Sequence, residues 1–344
     1  MIKWLNIDDE TKRRAYTQIA ENTGMSPFAV EKDWWVVQTL SIVFDMDVAG
    51  HLVFKGGTAL SKAWKLIERF SEDVDLAIDR EFFGFGGDLS KKQLTDLRKA
   101  ASVFTSGIFF EALQERFAAK GITGVTFRLV EPESSDQDPR IIEVYYPHVI
   151  ASPGYLEPRV QIEIGCRSLR EPFTTQSFSS LVDDTYSDQD FAQPPIKVPT
   201  VNPERTFLEK IFLLHEEFQR PSDKMRVDRL SRHLYDVVKL SKTDFAEKGL
   251  TDPHLYETIV EHRYKFTRLG GVNYNLHQPQ TINPIPVQAV LDAWKADYNT
   301  MIEQMIYEEN PPSFAQIIAD LTDLKNKINA FSWQFQTSFP NPNS

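Results

Sequence analysis

Seven consecutive residues, EDVDLAI at positions 72–78, constrain this chain more than any other stretch. Polar and apolar side chains alternate, which is the period of a strand whose two faces meet different surroundings. Val74, Leu76 and Ile78 point one way; Asp73, Asp75 and Ala77 point the other. The chain must therefore build a sheet with one apolar face to cover. On the opposite face two carboxylates stand roughly 6.5–7 Å apart at the backbone. Converging carboxylates raise each other's proton affinity unless a cation lies between them. A hard divalent ion accepts one or two carboxylates and keeps positions for phosphate oxygens. Paired ions of this kind flank in-line displacements at phosphorus. A strand whose solvent face merely happens to be acidic is the plain alternative.

What precedes the strand narrows the choice. HLVF at 51–54 reads as a short buried strand. TALSKAWKLI at 58–67 reads as a helix, with Ala59, Ala63, Leu66 and Ile67 at helical spacing. Gly56 and Gly57 stand between them, followed by Thr58. Glycines let backbone N–H groups approach an anion closely, and a helix N-terminus favours negative charge. Thr58 is placed to cap the helix or to donate to a phosphate. A simple strand-to-helix turn is the bland reading. The stretch is not a Walker A loop, because Ser61 precedes Lys62 where that motif requires glycine. The order strand, Gly-Gly-Thr, helix, acidic strand thus sets a phosphate cradle (Gly56, Gly57, Thr58) next to a metal-binding pair (Asp73, Asp75).

The rest of the chain supplies the frame. A length of 344 residues allows one large or two ordinary domains. Helical patterns cover 8–21, a stretch starting at Ser26–Pro27, and Leu89–Lys120. GVTFRLV, RIIEVYY and RVQIEIG read as strands. Residues 171–202, rich in Ser, Asp, Gln and Pro, read as loop. Beyond them helical patterns recur over 203–219, 225–241, 252–267, 285–309 and 313–333. The expectation is an α+β fold, with a mixed sheet flanked by helices over 1–200 and a helical domain over 201–344.

Composition excludes several classes. The net charge of −11 argues against a general nucleic-acid coat, while leaving room for a local basic groove. The single cysteine, Cys166, rules out an intrachain disulfide and suits a reducing compartment. It has no evident catalytic partner. MIKWLNIDDE shows no secretory pattern, and the apolar run WWVVQTLSIVF is broken by Gln38, Thr39 and Ser41 and is too short to span a bilayer. A soluble cytoplasmic protein is expected. His215, His233 and His262 lack zinc-ligand spacing, and Trp34 and Trp35 read as core.

Three blocks in order, EKDWWV, FKGGTALSKAW and RFSEDVDL, resemble the AbiEii/AbiGii toxin family of nucleotidyltransferases. That family sits within the DNA polymerase β-type superfamily, whose signature is a glycine pair followed by Asp-x-Asp, and the MenT toxins belong to the same wider group. The interval here is slightly long. The resemblance is dense over residues 31–80 and thinner afterwards. It implies a polymerase-β-like palm followed by helices, and transfer of NMP from an NTP to an acceptor hydroxyl. Asp73 and Asp75 would hold Mg²⁺ or Mn²⁺. It also implies a toxin of a bacterial toxin–antitoxin or phage-defence pair, a cognate antitoxin, and a tRNA 3′ end or other RNA among the candidate acceptors.

Further site residues follow from the same resemblance. The superfamily has a third carboxylate on a neighbouring strand. Glu163 in RVQIEIG fits that place, with Glu143 in RIIEVYY as its competitor; aspartate is the commoner residue there. A lysine on a helix after the palm matches Lys210, which would neutralise phosphate charge. A lysine at that border also commonly snorkels to water. The family's Tyr-Asp block matches Tyr235–Asp236, giving Asp236 a role in orienting Lys210 or an arginine; an i−4 pair with Arg232 is the alternative. Lys224, Arg226, Arg229, Arg232, Lys239 and Lys242 form a local basic excess, either an RNA surface or a solvated helix face. Two rivals remain: transfer to a small-molecule or protein hydroxyl, and a catalytically idle nucleotide- or partner-binding module.

Overall fold

Asp8 accepts the Thr11 amide and Ser26 accepts the Ala29 amide, so α1 (Asp9–Thr23) and α2 (Pro27–Val43) both begin at side-chain caps. Pro27 occupies the first turn of α2, where its missing N–H costs nothing. The computed structural model describes residues 2–134, 137–152 and 157–342. The chain divides into two units: Met1–Trp64 with Phe70–Val201, and Lys65–Arg69 with Asn202–Ser344.

The first unit is built on a seven-stranded mixed sheet in the order β3-β4-β5-β2-β1-β7-β6. Its strands are β1 (Leu52–Lys55), β2 (Asp73–Ile78), β3 (Thr126–Leu129), β4 (Arg140–Tyr145), β5 (Arg159–Gly165), β6 (Phe173–Phe178) and β7 (Ile196–Val201). The pairs β2/β5 and β1/β7 are parallel and the others antiparallel. Alternation does what the sequence implies. Phe54, Val74, Leu76, Ile142, Val144, Val160, Ile162 and Ile164 lie fully buried on one face. Trp35 of α2 stacks on Tyr146 just past β4, and Trp34 and Trp35 are both core. Residues 56–58 form a single helical turn (α3, Gly56–Thr58) that continues as a π-helical turn over Ala59–Ala63. The helix expected as far as Ile67 therefore stops early, and Lys65 turns the chain with φ +54. The long helical run is realised as α4 (Lys91–Phe104) and α5 (Phe110–Ala119), joined through a π turn at Thr105–Phe109.

Residues 171–202 are not the loop expected. They form β6, the short helix α6 (Leu181–Thr185) and β7. The strand β6 is an edge strand made mostly of exposed polar residues, so it carries no burial pattern to read. Pro199 sits inside β7, opposite Thr175, where sequence alone argues against a strand.

The second unit is helical: α7 (Pro203–Glu217), α8 (Arg232–Ser241), α9 (Asp244–Leu250), α10 (Pro253–Phe266), α11 (Leu291–Gln304) and α12 (Phe314–Asn329). Phe207, Ile211 and Leu214 of α7 bury with Leu234 and Val238 of α8 and Ile317 and Leu321 of α12. Buried Glu216 is satisfied by a two-pronged bond from Arg263 and by His277. The helix expected over 225–241 begins only at Arg232. Arg229 adopts φ +58, and the carboxylate of Asp297 accepts the amides of Arg229 and Ser231. A distant acid thus supplies the bonds that a helix would have made. Among the described residues no helix is long and apolar enough to cross a membrane.

Candidate active site

The acidic pair is set by register. Asp75 is opposite Lys55 on β1 and Glu163 on β5, while Asp73 is opposite Gln161. Paired residues on neighbouring strands share a face. Lys55, Asp75 and Glu163 therefore form one row across three strands, and Asp73 and Gln161 a second. All five are half-buried.

The glycine turn lies directly against this row. Gly56 has φ +80, a conformation that disfavours any side chain. A Cβ built there would come 2.0 Å from Asp75 Oδ2 and 2.8 Å from its Cγ. The missing side chain is thus space taken by the carboxylate. Thr58, buried at the start of the π turn, donates its hydroxyl to Ser71 Oγ at 3.0 Å. The turn and the acidic strand are thereby joined at a second point.

The Glu163 carboxyl is perturbed. Burial, then the charges of Asp75 and Asp73, push it up to about 7, against the pull of Lys55 and a bond from Gln161. Gln161 Nε2 donates to Glu163 Oε1 at 2.8 Å. Glu143 faces the same side but is buried one strand further out, opposite Gln161. Arg128, Arg159 and the Tyr145 hydroxyl already engage it. Of the two candidate third carboxylates, Glu163 is the one beside Asp75.

The EKD block, whose task the sequence did not disclose, turns out to be three buried ties. Glu31 accepts the amides of Val149 (2.8 Å) and Ile150 (3.1 Å). Lys32, 1% exposed, pairs with Glu72 and donates to the Glu157 carbonyl at 3.0 Å. Those partners stand one residue before β2 and two before β5, so one ammonium pins the starts of both acidic strands. Burial pulls Lys32 below its ordinary value, opposed by Glu72. Asp33 pairs with Lys62 at 2.7 Å and accepts the Leu181 amide at 2.7 Å. The available signal was three consecutive charges inside an otherwise apolar helix.

In the second unit Asp236, fully buried, takes a forked bond from Arg69, both prongs at 2.7 Å. Lys210 Nζ lies 2.9 Å from Asp236 Oδ2 and 3.2 Å from His233 Nδ1. Burial works to raise Asp236, but Arg69 and Lys210 outweigh it and hold the carboxyl well below the usual range. Burial pulls Lys210 down, against Asp236. Arg69 also bridges to Ile306, and Glu68 accepts the Tyr307 amide. The basic excess of this unit is largely paired: Arg226 with Glu217, Lys239 with Glu68 and Glu308, Lys242 with Asp320. Cys166 is buried, and burial raises its thiol further from reactivity.

Among the described residues no three or more His, Cys, Asp or Glu side chains form a ready-made metal cluster. Asp73 and Asp75 instead offer the one or two carboxylates that a hard ion takes when substrate phosphates complete its shell. The raised Glu163 and the carboxylate packed on bare Gly56 backbone both fit a divalent ion at this row.

The family model for the nucleotidyl transferase AbiEii toxin of type IV toxin–antitoxin systems matches residues 41–320. The chain belongs to the AbiEii family. It is a nucleotidyltransferase toxin, and membership implies an NTP substrate, a divalent ion of the kind such enzymes use, and a cognate antitoxin. MenT4, a nucleotidyltransferase toxin from Mycobacterium tuberculosis H37Rv, is similar in structure to this AbiEii toxin. It is 17% identical, with 94% of each chain covered and a TM-score of 0.43. No curated protein matches the AbiEii chain's sequence.

Proposed function

We propose that this toxin transfers NMP from an NTP to the 3′-terminal hydroxyl of an RNA, a tRNA end being the first candidate, in the cytoplasm and in the service of phage defence. The proposal rests chiefly on one observation: Asp75 is packed on the bare Gly56 backbone and stands in one row with Glu163. Asp73 and Asp75 would hold Mg²⁺ or Mn²⁺, which when bound offsets carboxylate and phosphate charge. The backbone at Gly56, Gly57 and Thr58 lies against the phosphates. Glu163, beside Asp75 on the neighbouring strand, accepts the proton of the attacking hydroxyl. The hydroxyl oxygen bonds to the α-phosphorus as the bond to pyrophosphate breaks. From the family resemblance comes the further proposal that Lys210, held by Asp236, offsets phosphate charge.

Incubation with each labelled NTP in turn, with and without Mg²⁺, and with total RNA, protein or small-molecule acceptors, tests this. Label should enter RNA, require the metal and vanish in Asp75→Ala. Label in a protein or small molecule would move the acceptor to that class. Growth arrest that persists in Asp75→Ala without any transfer would leave an idle binding module.

A further inference from the structure

The open sheet face does not end at the carboxylates. Register continues the Asp73 row outward from β2 through β5 and β4 to the edge strand β3, and adds a further row beside it. Asp73, Gln161, Glu143 and Arg128 share one line, and Tyr145 and Arg159 form the next. Buried Glu143 binds both guanidiniums and accepts the Tyr145 hydroxyl at 3.1 Å. Arg128 lies over the Tyr145 ring, 5.7 Å from its centroid, and its side chain is 63% exposed. One buried acid therefore fixes two arginines and an aromatic ring; Glu157 pairs with Arg159 as well, at 2.7 Å, which leaves Arg128 the more exposed guanidinium.

The glycine turn gives this face a direction. Gly56 follows β1, on one side of Asp75, whereas Glu163 stands on β5, on the other. In-line displacement at phosphorus needs attacking and leaving oxygens on opposite sides. With phosphates at Gly56, pyrophosphate leaves over β1 and the attacking hydroxyl arrives over β5. The strands beyond β5 are those that carry Arg159, Tyr145 and Arg128.

We propose that the open face of β5, β4 and β3 is the acceptor subsite, and that Arg128, Arg159 and Tyr145 receive the single-stranded 3′ end of an RNA. This rests on the transferase reading above. Guanidiniums bind phosphate through paired N–H donors. An aromatic ring on an open sheet is a stacking surface for an unpaired base. The subsite begins about 5 Å from the acidic strand, one strand spacing away, and reaches about 14 Å from it, spanning about 10 Å. The exposed Arg128 guanidinium and the continuity of this face with the carboxylates favour a polynucleotide over a protein.

The test compares Arg128→Ala, Arg128→Lys, Tyr145→Ala and Tyr145→Phe with wild type, with folding checked by thermal melts. Binding of fluorescein-labelled unfractionated tRNA is read by anisotropy, and KM is measured separately for tRNA and for NTP. Arg128→Ala and Tyr145→Ala should weaken tRNA binding and raise its KM by about tenfold, with the NTP KM unmoved. Arg128→Lys should fall between, and Tyr145→Phe should stay near wild type. The salt dependence of binding should drop by about one phosphate contact in Arg128→Ala. Unchanged tRNA binding in both alanine variants overturns the proposal, as does a rise confined to the NTP KM. Labelling of protein or a small molecule in place of RNA also overturns it, while leaving the transferase reading intact. Arg128-dependent tRNA binding without NTP turnover sinks the transferase reading and keeps the RNA surface.

Discussion

Glu163→Gln separates the electrostatics of the acidic row from its shape. Glutamine has nearly the same volume but no charge. In the folded protein Glu163 holds its proton up to about 7, against an ordinary value of 4.5, because it is buried beside Asp75 and Asp73. A folded state that binds a proton more tightly than the unfolded chain gains stability at low pH and loses it as pH rises. The contribution is complete below about pH 4.5 and gone above about pH 7. At about 1.4 kcal/mol per pH unit, the rise corresponds to roughly 3 kcal/mol. Metal-free wild type should lose that amount between pH 4.5 and 8, and Glu163→Gln should not. The gap amounts to roughly 6–12 °C in melting temperature for a unit of this size. Urea or thermal unfolding in EDTA at pH 5 and pH 8 measures it. Adding MgCl₂ at pH 8 should stabilise wild type, since the cation answers the same repulsion. The variant should also lose about 10²–10⁴-fold in NMP transfer, the usual worth of a general base. Equal pH dependence of stability in the two proteins would refute the reasoning.

Gly56→Ala forces a side chain onto Asp75 Oδ2 at a backbone with φ +80. It should cost at least about 1–3 kcal/mol of strain and displace the carboxylate; thermal melts and transfer assays should show activity falling further than stability. Asp236→Ala leaves Arg69 and Lys210 buried without their shared acid. A loss of about 3–5 kcal/mol in urea unfolding at pH 7 is expected. Because the Asp236 carboxyl is held low, the gap from wild type should shrink as pH falls below about 4. Lys32→Met strands Glu72 at the mouth of β2 and should destabilise by a similar amount; the double variant Lys32→Met/Glu72→Gln should recover part of the loss, read as a coupling energy in the same unfolding assay.

How much of this was legible depended on how local each cause was. Alternation in EDVDLAI and RVQIEIG is a property of neighbouring residues, and it gave the buried faces of β2 and β5 directly. The Gly56–Gly57 pair could be singled out from its place between a strand and a helix, but that Gly56 has positive φ and is pressed by Asp75 required the coordinates. Choosing between Glu163 and Glu143 required strand order, since both sit in the same kind of pattern; register and the two arginines on Glu143 separate them. Arg69 lies 167 residues from Asp236 in sequence, and no periodicity connects them. Likewise Asp297 unwinds the start of the helix expected at 225 from 68 residues away. The strand β6 escaped because an edge strand facing water need not alternate.

The five residues Lys65–Arg69 belong to the second unit although the chain on either side of them belongs to the first. A gene fragment stopping at Val201 would therefore encode Arg69 without Asp236, Tyr307 or Ile306, exposing to solvent a guanidinium that is normally 2% accessible. Splitting the toxin after β7 yields two incomplete pieces rather than two modules. Recombination that swaps either half for that of a distant relative must carry the partner of this short loop along with it.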